Sequence, residues 1–417
     1  MNTAKRCRSV SRDRLKSILE VLALVSRAFC SNCEKLIFVH DDNYGLTVDS
    51  KKYCQIADPL ARDIRACGFE VQIVRYPGSQ LLSKHLKNKS FNINIIFAVF
   101  YALGFFLTRD KKQAKLISWY LLFKGFGCNV AYAFMPSHFF CRAAKLAGVY
   151  VYDLQHGVIT PSDPYYQLCF DSSRGSDATP DAILFLYRTS YDFWKNQRLP
   201  IEIDHIGSPY LADLPSFPVS ANNDQCFHSF SILFTQQADF GLSWGVEGNC
   251  DGQWYTCGLP ASIVSVLFSF KYPVRLVIRL HPLSQVPISE VMAIFRDIPS
   301  WHKVKVVSSR DVPLLTHLAE ASLHITNHSA VVFEAAEYGV PSVVLSQSTE
   351  IKDQFGHLSM QGLVDFSSNR QGCLLQSLRP HVWAHASSPK NTDFLRRSLE
   401  YRTRFLENLR RHLSVIR

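Results

Sequence analysis

Three short motifs carry side chains suited to holding a phosphorylated ligand and to moving a proton. Residues 274–282 read as an apolar strand that ends in Arg279-Leu280-His281-Pro282, and residues 149–159 as a strand that ends in Gln155-His156-Gly157. Residues 325–341 run from a strand end through the polar turn Asn327-His328-Ser329 into a short helix bearing Glu334 and Glu337, closed by Gly339 and Pro341. Two apart on a strand, Arg279 and His281 share a face, and both can donate to phosphate oxygens. Ser329 and the free N–H groups of the helix behind it would complete an anion cradle, with Asn327 and Ser329 as N-caps. Glu334, one turn into that helix, is placed to meet ribose hydroxyls, whereas Glu337 reads as a solvated or sheet-facing partner. His156 offers an imidazole, the side chain whose unperturbed titration lies nearest neutral pH and so suits a general base, and Gly157 beside it admits a ligand or a second stretch of backbone. A hydrogen-bonded core histidine or an ordinary capped helix would use the same residue types. What favours a site is position: all three motifs stand at the carboxyl ends of strands, where open α/β sheets bind ligands.

Positioning these groups requires strand–loop–helix units along most of the chain. A strand at 35–40, a helix at 59–67 and a strand at 69–74 make one βαβ unit, with residues 41–45 as a loop. Strands follow at 128–134, 149–155 and 182–187, with a helix at 139–148 ended by Gly148, and the run 204–209 closes the first half. Two prolines and a polar run between 214 and 225 form a linker. The second half opens on a strand at 230–235, followed by a polar loop from Gln236 to Gly241. A helix at 263–270, the His-Pro strand, a strand at 304–307 and a helix from Asp311 lead to the third motif and a last strand at 342–345. Leu395, Leu399, Leu406, Leu409 and Leu413 recur at helical spacing among arginines, which predicts a C-terminal helix.

In this order and spacing the motifs resemble the GT-B glycosyltransferases of bacterial surface polysaccharide assembly, of the capsule and O-antigen type. The likeness extends to capsule sialyl- and Kdo-transferases and to CDP-glycerol glycerophosphotransferases, and runs with gaps from about residue 130 to 346. It implies an α/β, GT-B-like architecture: two Rossmann-like domains facing across a cleft, with the C-terminal helix crossing back to the first. The expected division is an acceptor domain over 1–213, a nucleotide-sugar donor domain over 214–389, and the returning helix over 390–417. The implied activity is metal-independent, inverting transfer of a sugar from a nucleotide-sugar to a polysaccharide or lipid-linked acceptor. Arg279, His281, Ser329, His328, Glu334 and Gln236 would face the donor, and Gln155 and Gly157 the acceptor. His156 takes the base role of the His-Gly histidine of the glycerophosphotransferases, with Asp42 and Asp163 in reserve, since some of the resembling transferases use a carboxylate. Neither a cofactor nor a metal is expected. A glycerol- or polyol-phosphate transferase, a nucleotide-sugar 2-epimerase and a non-catalytic nucleotide-sugar-binding partner stay open beside this reading.

Composition sets bounds on these expectations. The chain of 417 residues is 47% apolar and 19% charged, which fits two packed domains and excludes a disordered protein. A net charge of +10 suits phosphate-bearing ligands or an anionic membrane surface. The basic residues are scattered without aromatic interleaving, which argues against nucleic acid. Of twelve cysteines, only Cys30 and Cys33 form a C-x-x-C, so buried thiols in a reducing cytoplasm are expected rather than structural zinc. The basic, then apolar first thirty residues imitate a signal peptide, but Glu20 interrupts them and no small-residue cleavage site follows, so an amphipathic helix is expected. Residues 91–123 are the most apolar stretch and carry a basic run from Arg109 to Lys115. They admit a core helix pair, an interfacial hairpin with a basic rim, or, less readily, a membrane span. The protein is accordingly expected in the cytoplasm, with peripheral contact at the inner face of the membrane as one option.

Overall fold

The first motif-bearing sheet begins with β1 (Lys35–Val39), which continues into a short antiparallel hairpin, β2 (Gly45–Val48) and β3 (Lys51–Cys54). The computed structural model describes residues 34–39, 45–48, 51–76, 94–155, 157–159, 165–166, 169, 176–197, 199–212, 230–236, 255, 258–282, 284, 286–346, 348–368, 370–387 and 394–415. Helix α1 (Ala57–Ala66) and β4 (Val71–Arg75) complete the expected βαβ unit, and the hairpin within it was not legible in the sequence. Then come α2 (Asn94–Thr108), α3 (Lys111–Phe126), β5 (Val130–Ala133), α4 (His138–Ala147), β6 (Tyr150–Leu154), β7 (Ala182–Phe185), α5 (Arg188–Asn196), β8 (Glu202–His205) and α6 (Pro209–Ala212). The sheet is parallel throughout, in the order β4-β1-β5-β6-β7-β8.

The second sheet is built from β9 (Phe230–Thr235), α7 (Ala261–Ser269), β10 (Val274–Leu280), α8 (Ile288–Ala293), β11 (Lys303–Ser308), α9 (Leu314–Glu320), β12 (Leu323–Thr326), α10 (Val331–Glu337), β13 (Ser342–Val344), α11 (Thr349–Met360) and β14 (Val364–Phe366). Its order, β11-β10-β9-β12-β13-β14, places the topological switch point between β9 and β12. Helices cover both faces of such sheets, so their strands are apolar along their length rather than alternating; β9, β6 and β7 fit this, with nearly every side chain buried.

After α12 (Gln371–Ser387), helix α13 (Phe394–Val415) returns to the first domain, as the resemblance implies. Three polar contacts hold it there. Arg402 pairs bidentately with Asp63 of α1. The Tyr401 hydroxyl accepts from Ser208 N at 2.7 Å. His412 bridges Asp204 Oδ2, at 2.6 Å, and the Tyr132 hydroxyl, at 3.1 Å. Tyr401, Phe405, Leu409 and Leu413 bury the apolar stripe of the helix in a cluster that spans both domains. That cluster also joins Leu186, Tyr210 and Leu211 of the first domain to Leu314, Leu315, Phe333 and Tyr338 of the second. The two halves therefore meet over a continuous apolar floor beneath the cleft.

Residues 91–123 fall largely on α2 and α3, a helical hairpin whose second member is built into the core through Ile117, Trp119, Leu121, Leu122 and Phe123. No helix among the described residues is long and apolar enough to cross a membrane.

Candidate active site

The carboxyl edges of the two sheets face each other across a cleft of about 340 Å³. The second domain contributes Gln236 after β9, His281 and Pro282 after β10, Ser309 after β11, and His328, Ser329 and Glu334 around the start of α10. The first contributes Gly157 and Val158 after β6, Tyr187 after β7, and Ser208 and Tyr210 after β8. Parallel strands make this convergence automatic, because every loop that leaves a carboxyl end leaves on the same side.

On the second-domain wall, Gln236 is the pivot. Its N–H donates to the Arg279 carbonyl at 3.0 Å and its Oε1 accepts from His281 N at 3.0 Å, so the ends of β9 and β10 are pinned together. Arg279 differs from the sequence reading. The strand ends at Leu280, so His281 lies beyond it, at the cleft, while the Arg279 guanidinium is buried. Its Nη1 donates to the Val312 carbonyl at 2.5 Å and its Nη2 to the Ser309 carbonyl at 2.8 Å. These two donors support the β11–α9 loop, while Arg279 also lines the cleft, and burial lowers the guanidinium pKa from its usual value.

The third motif is also rearranged in detail. Helix α10 starts at Val331, with Ala330 as its cap residue, so Asn327 lies too far upstream to cap it. Asn327 is buried. Ser329 Oγ does accept a backbone bond, from Val331 N at 3.3 Å. Desolvation holds the His328 imidazole below the usual histidine pKa, which favours its neutral form. Gly339 closes the helix at φ 71°, as expected, and a Cβ there would stand 2.9 Å from Arg397 Cζ. Glu337, read as a solvated or sheet-facing partner, instead pairs with Arg404 of α13 at 3.3 Å.

Glu334 is a strongly perturbed carboxylate in the cleft. Burial raises its carboxyl to about pH 7, against a lowering by the Tyr187 hydrogen bond and by the charge of Arg279. The Tyr187 hydroxyl donates to Glu334 Oε1 at 2.8 Å, and its ring stacks on Phe333 at 5.1 Å between centroids. This bond joins the two domains inside the cleft, as does the Leu315 N–H bond to the Tyr210 hydroxyl at 3.1 Å nearby. Sequence reasoning passed over both tyrosines. Tyr187 stood at a predicted strand end, the same signal that marked the histidines, but without a motif around it.

On the first-domain wall, Gln155 is fully committed. Its Nε2 donates to Ser190 Oγ at 3.0 Å and the Gly157 carbonyl at 3.1 Å, and its Oε1 accepts from Leu186 N at 3.0 Å. It therefore shapes the loops after β6 and β7. Gly157 has φ 74° with open space where a Cβ would be, so its backbone, not crowding, calls for glycine. The three base candidates, His156, Asp42 and Asp163, lie outside the described residues. Among the described residues no group of three or more His, Cys, Asp or Glu side chains gathers as a metal site would need.

No family model matches the sequence, and no curated protein matches it. Solved structures do match its shape. The spinosyn rhamnosyltransferase SpnG, complexed with thymidine diphosphate, aligns at TM-score 0.54 and 16% identity over 92% of this chain and 100% of that one. The glycosyltransferase VinC in complex with dTDP gives 0.51 and 12% over 92% and 98%. The UDP-GlcNAc 2-epimerase of Neisseria meningitidis bound to UDP-GlcNAc gives 0.55 and 12% over 91% and 99%. At these identities the likeness concerns the fold, and with two parallel six-stranded sheets facing a common cleft and a terminal helix returned to the first, the chain adopts the GT-B fold.

Proposed function

We propose that the protein is a metal-independent, inverting glycosyltransferase that takes a sugar from a nucleotide-sugar donor to a surface-polysaccharide or lipid-linked acceptor. The observation that carries this reading is the cleft itself, with His281, Ser329, His328 and Glu334 on one wall and Gly157 and Tyr187 on the other. Support comes from SpnG and VinC, which share the fold and are described as holding thymidine diphosphate and dTDP. In the proposed reaction an acceptor hydroxyl oxygen attacks the anomeric carbon, the bond from that carbon to the diphosphate breaks, and the hydroxyl proton passes to His156. His281 and the Ser329 turn take the charge that grows on the departing diphosphate, and Arg279 keeps the neighbouring loop in place. Glu334 meets the ribose hydroxyls.

A thermal-shift screen against CMP, CDP, UDP, GDP, dTDP and their sugars tests the binding half. A ligand at about 100 times its dissociation constant stabilises by roughly 2.7 kcal/mol. Absence of any shift with all of them would overturn the reading. Turnover in EDTA tests metal independence. A 2-epimerase is the second reading, favoured by the likeness to the meningococcal enzyme and by a buried carboxyl at about pH 7 in the cleft. Conversion of the nucleotide-sugar without any acceptor would select it.

A further inference from the structure

Helix α2 has two unlike faces. Phe97 packs on Trp119 at 5.0 Å, Phe100 is buried, and a Cβ on Gly104 would meet Ala114 Cα at 3.0 Å, so the 97/100/104 side is seated on α3. The opposite side, at 99/102/106, is apolar and faces solvent, with Val99 57% and Phe106 66% exposed. Positions 99, 102 and 106 are neighbours on one helix face, so the exposed apolar side chains form a continuous stripe rather than scattered single residues. At the tip of the hairpin stand Arg109, Lys111, Lys112 and Lys115, all exposed, with Asp110 as the only acid among them. The Arg109 guanidinium lies over the Phe106 ring, 5.2 Å from its centroid, so cation and apolar side chain share one edge.

From this pairing of an open aromatic stripe with a basic tip we infer that the α2–α3 hairpin docks the protein on the surface of an anionic phospholipid bilayer. Val99, Ala102 and Phe106 enter the acyl boundary and the basic tip lies among the headgroups. Charge complementarity selects this occupant: a second copy of the chain would bring the same four cations against each other, and a neutral apolar partner would leave them unanswered. The inference stands independently of the chemistry assigned to the cleft.

Co-sedimentation of the full chain with vesicles tests it. The expected result is binding to phosphatidylcholine–phosphatidylglycerol vesicles, weak or absent binding to phosphatidylcholine alone, and loss of binding as salt shortens the range of the charges. The triple variant Lys111→Gln/Lys112→Gln/Lys115→Gln should weaken partitioning about 100-fold, at roughly fivefold per basic residue. Val99→Ser/Phe106→Ser should weaken it too, with circular dichroism and nucleotide-induced thermal shift unchanged. Equal partitioning to neutral and anionic vesicles, no partitioning, or indifference to both variants would overturn the inference. So would concentration-dependent dimerisation abolished by Phe106→Ser, which would give the face to a second copy. Loss of vesicle binding only on Arg12→Gln/Arg14→Gln/Lys16→Gln would move the contact to the N-terminal segment and likewise overturn it.

Discussion

Replacing Glu334 by glutamine separates what the cleft carboxylate does for a ligand from what it costs the fold. The side chain is buried, and its carboxyl is raised from 4.5 to about 7, with burial as the main cause. A folded-state pKa above the unfolded one means that stability is fully present below pH 4.5 and falls as pH rises toward 7. Over that window the unfolded chain releases the proton while the folded chain still holds it. The shift corresponds to about 3 kcal/mol at 1.36 kcal/mol per pKa unit. Glutamine keeps the shape and can still accept from the Tyr187 hydroxyl, but does not titrate. Glu334→Gln should therefore match the parent near pH 4.5 and exceed it by about 3 kcal/mol at pH 8, read by urea unfolding at a series of pH values. Nucleotide affinity should fall in the same variant, as expected where a strained group is kept for function. Tyr187→Phe removes the hydrogen bond that favours the carboxylate, so its stability should begin to fall at the same pH as the parent's but go on falling to a higher pH. Parallel stability–pH curves for the parent and Glu334→Gln would refute the reasoning, because Glu334 would then titrate alike in both states.

His156→Ala should lower turnover by roughly 10²–10⁴-fold with donor affinity nearly unchanged, and remove a group titrating near neutrality from the acid limb. If Asp42→Asn or Asp163→Asn abolishes turnover while His156→Ala stays active, the base is a carboxylate. Arg402→Leu leaves Asp63 buried with only the exposed Arg62 beside it, and should cost about 3 kcal/mol in denaturant unfolding. Burial acts to raise the Asp63 pKa, but its hydrogen bonds to Arg402 and Arg62 outweigh this and the net value is lowered. That stability is present above pH 3.8 and lost as pH falls through the depressed value, so the variant should show a shallower acid limb. Gly157→Ala meets open space but a left-handed backbone, and should cost about 1–2 kcal/mol in the same assay without any clash.

The elements were legible because local patterns encode them. Apolar runs such as 230–235 became β9 residue for residue, Gly148 ended α4 in the left-handed conformation, and Leu409 and Leu413 of the leucine repeat lie on the face that α13 buries, while Leu399 stays exposed. Strand-end position also brought the His281 and Ser329 loops to one cleft, since parallel sheets send all such loops to the same side. The roles of individual polar side chains were not legible, because a side chain's partners come from other elements. Arg279 and His281 look equivalent on a strand, yet β10 stops between them, and the carbonyls of Ser309 and Val312 claim the arginine. Gln155 reads as a ligand group beside His156, yet its amide is taken up by Ser190 and Leu186, more than thirty positions away, and by the nearby Gly157 carbonyl. The Tyr187–Glu334 bond joins residues 147 positions apart, and no local spacing can announce a contact that exists only when two domains close on one apolar floor. Burial, which sets the Glu334 pKa, is likewise a property of that closure and not of the helix the residue sits on.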